Sequence, residues 1–165
     1  MSDQSPQAGT PKPFDLERVM RKFIAGIRHS DVLGIEFVEA SPGVVCLRLP
    51  YKEALVGNPY TGVLHGGTMT SLLDQACGMS VIAAIAPEID LAPTLDLRID
   101  YMRAATPGVD VYARAEVFRV TKSVVFSRGI AYQESLDNPV AHCTATFMRM
   151  GLKNINWKKR SEGQA

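Results

Sequence analysis

GNPYTGVLHGGTMTSLLDQACGMSVIAAIAP, residues 57–87, is the stretch on which the fold turns. Between Gly66 and Ala86 the only side chain ionised at neutral pH is Asp74; the rest are apolar, small, hydroxyl-bearing or amide. That composition describes a helix buried nearly all round with a single acid in it. Gly66-Gly67 signals its start, with Thr68 as cap, and Pro87 supplies the stop, because proline lacks a donor and clashes with the preceding turn. The helix is predicted to run roughly 18 to 21 residues, about 30 Å at ~1.5 Å each. A membrane span needs the same length, but Thr68, Thr70, Ser71, Asp74, Gln75 and two glycines crowd one half of this one. No membrane partner is therefore expected. At ~100° per residue, Leu72, Ala76, Met79 and Ala83 share one side. Thr70, Ser71, Asp74, Cys77, Gly78 and Val81 share another, on which small side chains admit a second packed element and the carboxylate needs a donor to offset its desolvation.

Upstream, residues 1–13 have turn-forming composition and are expected to be a disordered lead. Asp15 can cap a helix in which Leu16, Val19, Met20, Phe23, Ile24 and Ile27 recur at helical spacing, opposite Arg18, Arg21, Lys22 and Arg28. This predicts one amphipathic packing helix. Ile35 to Ala40 and Val44 to Leu49, joined by Ser41-Pro42-Gly43, predict a hairpin. Downstream, Leu95, Leu97, Ile99 and Tyr101 alternate with Asp96, Arg98 and Asp100, and Val109 to Val117 alternates in the same way. Both read as half-exposed strands. Val124 to Gln133 and Val140 to Met150 complete the set, and the basic tail 151–165 reads as solvated. The order predicts a single α+β domain over 14–150, in which a mostly antiparallel, curved sheet of about five to six strands wraps the central helix.

The 165 residues carry a formal net charge of +1, which gives no electrostatic footprint for nucleic acid. Three cysteines, Cys46, Cys77 and Cys143, lie far apart with no CxxC pair, which points to reduced thiols. Residues 1–13 have no apolar run, so the expected compartment is the cytoplasm.

The segments LHGGTMTSLLDQACG (64–78) and PTLDLRIDYMRAATPG (93–108) resemble the hotdog-fold acyl-CoA thioesterases, in particular the phenylacetate-pathway (PaaI-like) type with an HGG turn. The likeness runs over roughly residues 33–150. It implies a hotdog fold and hydrolysis of an acyl-CoA thioester, with CoA as part of the substrate and no separate cofactor. The implied turn is His65-Gly66-Gly67, whose glycine region polarises the carbonyl, and the implied base or nucleophile is Asp74. Thr94 matches the hydroxyl residue that orients water in some relatives, and Asn58 matches a polar residue ahead of the histidine. Two departures stand out: the NPYTGVLH loop is one residue longer than usual, and Gly78 stands where some relatives carry Ser or Thr.

The chemistry also follows without the family. Thioester hydrolysis needs donors aimed at a developing oxyanion, which an exposed glycine helix N-terminus offers through Gly66 and Gly67. It also needs a base or nucleophile, and Asp74 is the only acid in the helix. Ser71 lacks a GxSxG elbow, and His29, His65 and His142 show no metal-ligand spacing, so no metal is expected. Arg103, Lys122 and Arg128, near strand ends, are candidates for the CoA phosphates. A hotdog hydratase or dehydratase and an acyl-CoA-binding regulator are the alternative functions. Gly67 and Asp74, seven residues apart, lie ~10 Å apart along a helix, whereas reacting atoms must come within ~3–3.5 Å. A homodimer with shared sites is expected on that ground, and the resemblance implies a dimer of such dimers.

Overall fold

The computed structural model describes residues 14–88 and 90–151; the expected lead 1–13 and all but the first residue of the tail fall outside this range. Asp15 caps α1 (Leu16–Ala25), its Oδ1 accepting the Arg18 N–H at 3.0 Å. The expected single N-terminal helix is in fact two. Gly26, a poor helix residue, ends α1, Ile27 adopts an extended backbone, and α2 (Arg28–Leu33) follows and closes at Gly34 with φ +76°. Ile27 keeps the apolar rhythm across this corner, which is why periodicity alone reads straight through it.

β1 (Glu36–Ser41) and β2 (Val44–Leu49) form the expected hairpin, turning at Gly43 with φ +76°. A 3-10 turn (Glu53–Leu55) leads to β3 (Val56–Asn58) and β4 (Val63–Leu64), a small ladder that sequence periodicity does not show. Then come α3 (Gly66–Ile85), β5 (Thr94–Tyr101), β6 (Val111–Val120), β7 (Val124–Tyr132) and β8 (Ala141–Met148). Six strands make one sheet in the order β1-β2-β6-β7-β8-β5, with every neighbouring pair antiparallel.

The register explains how a 20-residue helix fits against this sheet. Leu47, Ala113, Ala131 and Ala141 stand side by side in one row, and Val45, Ala115, Gly129 and Cys143 in the next. Rows of Ala, Gly and Cys across the middle strands leave a trough into which α3 settles. At Gly129 the fit is closest: a Cβ there would lie 2.8 Å from Cys143 Sγ and 3.1 Å from Cys77 Sγ. The Cys77 and Cys143 sulfurs are 3.5 Å apart, and the neighbouring sulfur together with burial holds Cys77 well above the ordinary thiol value. Buried hydroxyls are satisfied locally, Ser80 donating to Cys77 O at 2.7 Å and Ser127 to Glu116 O at 3.1 Å.

Candidate active site

Most of α3 is buried; of the residues that are not, Gly67, Thr70, Ser71, Asp74, Gln75 and Gly78 form one stripe at helical spacing, with Gly66 and Ala84 on its flank. The acid identified from sequence thus sits on the less buried side of α3. The expected second element on this face is present in part: α2 packs beside Ser71 and Gln75 and β5 beside Asp74, which leaves the stripe half-buried.

The helix N-terminus is held by the β3–β4 ladder. The His65 N–H donates to Leu55 O at 2.9 Å, and the backbone of Gly57 lies so close that a Cβ on it would be 2.8 Å from His65 Cα. His65, not Thr68, is the cap. Its Nδ1 accepts the Gly67 N–H at 3.0 Å, and its carbonyl accepts the Thr68 N–H at 3.0 Å and the Thr68 hydroxyl at 2.7 Å. The acceptor role of Nδ1 places the imidazole proton of the neutral ring on Nε2. Of the first three helical N–H groups only that of Gly66 has no acceptor among the described residues. It lies at the positive end of the helix dipole. Tyr101 OH donates to Gly66 O at 2.8 Å and lies 3.0 Å from Thr70 Oγ1, which fixes this turn against β5.

Asn58 builds the loop ahead of the histidine. Its Oδ1 accepts the Tyr60 N–H at 3.0 Å and its carbonyl accepts the Gly62 N–H at 2.9 Å, with Gly62 at φ +71°. The NPYTGVLH loop closes in this tight turn. Tyr51 OH donates to Gly62 O at 2.9 Å, while the Tyr51 N–H donates to Asp110 Oδ1 at 2.8 Å and Arg48 pairs with Asp110 Oδ2 at 2.7 Å. That backbone N–H and the Arg48 guanidinium hold the Asp110 carboxyl below its ordinary value.

At the other end of the stripe, the Thr94 hydroxyl donates to Asp74 Oδ1 at 2.8 Å. The register of β5 against β8 shifts between Thr94 and Asp96, a bulge that re-aims Thr94 toward the helix. Asp74 Oδ2 has no protein donor among the described residues, and Asp74 lines a cleft of about 300 Å³ together with Gly78, Ile82, Phe23, Ile27 and Phe147. Gly66 and Tyr101 line a different cleft of about 330 Å³. Among the large apolar side chains near the site, Ile82 lines the first cleft, whereas Met79 is fully buried, Tyr60 is 97% exposed, and Leu55 and Phe126 line neither cleft.

Two α2 residues to which the sequence reading gave no site role complete the surroundings. His29 Nε2 lies 3.1 Å from Ser71 Oγ, and Ser30 Oγ donates to Gln75 Oε1 at 3.1 Å, so α2 is docked on the stripe beside Asp74. Ser71 Oγ has a second acceptor in Gly67 O at 3.1 Å, and when it donates there the His29 ring nitrogen is the donor of the pair. A serine nucleophile needs the reverse polarity. The contact spans 42 positions, and nothing in local sequence signals it.

The three cationic candidates are not brought together. Arg103 lines the Gly66 cleft, but its guanidinium is spent on Asn138 Oδ1 at 3.1 Å, Asn138 O at 3.1 Å, Ala104 O at 3.0 Å and Gln133 Oε1 at 3.3 Å. Arg128 pairs with Glu116 on the sheet face away from α3, its Nε donating at 2.6 Å, and Lys122 is exposed in the β6–β7 turn.

Residues 61–149, which include α3, the stripe and all four following strands, match the family described as the thioesterase superfamily. The chain belongs to the thioesterase superfamily. Within it, the chain is 26% identical over 145 residues to the medium/long-chain acyl-CoA thioesterase YigI of Escherichia coli, covering 81% of this chain and 92% of that one. It is 38% identical over 94 residues to a Halobacterium salinarum protein that bears an esterase name, a match spanning 56% of this chain and 61% of that relative's length. A crystal structure of a Pseudomonas aeruginosa protein, 47% identical, superposes with a TM-score of 0.75 over 82% of this chain and 100% of that one. The PaaI protein of the Escherichia coli phenylacetic acid degradation operon shares the fold at 18% identity, with a TM-score of 0.72 over 82% and 94% of the two chains. The fold of this thioesterase-superfamily chain is thus the hotdog fold, one long helix against a six-stranded antiparallel sheet.

Proposed function

We propose that the protein hydrolyses acyl-CoA thioesters to a free acid and CoA at a site shared between two copies of the chain. The observation that carries this reading is the half-open stripe of α3, with an unengaged N–H at Gly66 at one end and the Asp74 carboxylate over an apolar cleft at the other. Membership of the thioesterase superfamily and the likeness to an acyl-CoA thioesterase support it.

In the reaction, the Gly66 N–H receives the negative charge that develops on the thioester oxygen, assisted by the helix dipole. The Thr94 hydroxyl fixes Asp74 through Oδ1, and Oδ2 takes a proton from a water that attacks the carbonyl carbon. Collapse of the tetrahedral intermediate breaks the C–S bond, and the CoA sulfur leaves with a proton. Should Asp74 attack the carbonyl instead, the C–S bond breaks, CoA leaves as the thiol and an acyl anhydride forms on Asp74. Attack of ¹⁸O water on its Cγ then labels Asp74 in a single turnover, whereas direct attack of water on the thioester labels only the product acid. His65 and Asn58 shape the turn that presents Gly66.

Gly66 and Asp74 are eight residues apart on α3, about 12 Å at ~1.5 Å per residue, so one carbonyl cannot touch both on a single chain. They also face different clefts. A two-fold axis beside β5 brings the helix N-terminus of one copy to the Asp74 of the other. β5 is the sheet edge nearest α3's open stripe, it has a neighbour on one side only, and it exposes Leu95, Tyr101 and Met102 in or just after the strand. Two such dimers form the proposed tetramer.

The test is a panel of aliphatic and aromatic acyl-CoAs followed by thiol release. Free CoA appearing with each acid formed supports the reading. Ultraviolet change at the α/β carbons without thiol marks a hydratase, and saturable binding without turnover marks a regulator; either overturns it.

A further inference from the structure

Gly78 is a glycine in the middle of a helix, where glycine is a poor choice, and neither usual reason for one applies. Its φ is not in the positive range, and a Cβ on it would meet only the Phe147 ring, at 3.4 Å and 3.9 Å, which is ordinary contact. Neither the backbone nor the core requires the missing side chain; the cleft does. Gly78 lines it one turn beyond Asp74, and Ile82 lines it one turn further. Polar groups gather at the Asp74 end with Gln75 and Thr94, and beyond them the walls are apolar, with Phe23, Ile27 and Phe147 among them.

The far end is built with care. The pairing of β5 and β8 runs on beyond the start of β5, as the Met148 N–H at the end of β8 donates to Pro93 O at 3.0 Å and the Met150 N–H to Leu91 O at 3.3 Å. Asp90, 5% exposed, then accepts the Gly151 N–H at 2.9 Å. These bonds hold Met150 and Leu91 in the cleft wall.

We infer that this cleft is the acyl channel, that Gly78 keeps it open, and that its length selects acyl groups of medium chain length. The inference rests on the thioesterase reading above and adds to it the substrate class. Gly78 and Ile82 lie ~6 Å and ~12 Å beyond Asp74 at a rise of ~1.5 Å per residue. An extended peptide covers ~3.3–3.6 Å per three backbone bonds, roughly 1.2 Å per bond, so ~12 Å accommodates about eight to ten carbons. A side chain longer than a methyl at position 78 would cut the channel at about half that length.

The experiment measures kcat/KM for butyryl-, octanoyl- and palmitoyl-CoA in the wild type, Gly78→Leu, Gly78→Ala and Ile82→Ala. The wild type is expected to prefer octanoyl-CoA to both others. Gly78→Leu is expected to lower the octanoyl-to-butyryl ratio at least tenfold through KM, Gly78→Ala to change it little, and Ile82→Ala to raise the relative rate on palmitoyl-CoA. An unchanged ratio in a folded Gly78→Leu overturns the inference while leaving thioesterase activity standing. If Gly78→Leu does not fold, Ile82→Ala decides: no shift toward the longer chain overturns it. A wild type that hydrolyses none of the three sinks the thioesterase reading instead. Calorimetry with S-butyl-, S-octyl- and S-hexadecyl-CoA then judges the channel alone, and affinity that does not peak at the octyl chain overturns it.

Discussion

Replacing Gly66 by proline deletes the one N–H to which the account gives the oxyanion, and the structure shows that it deletes little else. Gly66 is the first residue of α3, the position at which a helix tolerates proline because its N–H has no intrahelical acceptor. The preceding residue must be extended for a proline to follow, and His65 already is, at φ −64° and ψ 134°. A side chain on Gly66 would meet the Tyr101 ring and hydroxyl at 3.4–3.6 Å, ordinary contact distances. The His65 cap on Gly67 and the Tyr101 bond to Gly66 O are untouched. Stability should therefore change by no more than about 1 kcal/mol. The catalytic cost should be that of one oxyanion donor, ~10²–10³ in kcat or about 2.7–4 kcal/mol. Gly66→Ala adds the same contact but keeps the N–H, and should stay within about twofold of wild type, under 0.5 kcal/mol. The assay is thiol release at saturating acyl-CoA, with thermal melts followed by circular dichroism. A folded Gly66→Pro enzyme with wild-type kcat would refute the assignment of the oxyanion to this N–H.

Asp74→Asn keeps the volume and loses the base, and kcat should fall by about 10²-fold or more; Thr94→Ala, which only frees the carboxylate, should cost less, and the reverse ranking in steady-state kinetics would move the chemistry away from Asp74. Gly129→Ala drives a methyl to within 2.8 Å of Cys143 Sγ and should destabilise by ~1–3 kcal/mol in urea titration, with Cys143→Ala recovering part of the loss; an unchanged midpoint would mean that the trough has slack. The Asp110 carboxyl is held below its ordinary 3.8, so it contributes stability that is full above that value and lost as pH falls through the lower folded value. The stability gap between wild type and Asp110→Asn should accordingly be constant near neutrality and shrink below about pH 4, and a gap that widens in acid would reverse the sign.

The central helix was legible because one acid in some twenty apolar and small residues is a strong signal, and its bounds follow from Gly66 and Pro87. The six strands were legible from alternation, although Ala113, Ala115, Ala131 and Ala145 give no hint in sequence that their smallness serves a close helix. Periodicity failed where it does not encode direction: Ile27 keeps the helical rhythm across the corner after Gly26, and Leu55, Tyr60, Met79 and Phe126 are apolar without facing the cleft. Of the candidate site, the residue types were legible: His65 and Gly66 open the helix and Thr94 bonds Asp74. Which N–H remains open could not be read, since it depends on His65 turning Nδ1 back onto Gly67. The docking of His29 on Ser71 and the locking of Arg103 by Asn138 and Gln133 are long-range contacts with no local signature.

The claim on which the account depends most is that Gly66 and Asp74 act on one substrate from two chains. Subunit exchange between Asp74→Asn and Gly66→Pro, each nearly inactive alone, tests it directly. A mixed dimer holds one site with both changes and one site with neither, so after proven exchange thiol release should rise to about a quarter of the wild-type rate, from half the dimers each having one good site. No recovered activity despite demonstrated mixed dimers, or full activity in a proven monomer of the wild type, would contradict the shared site.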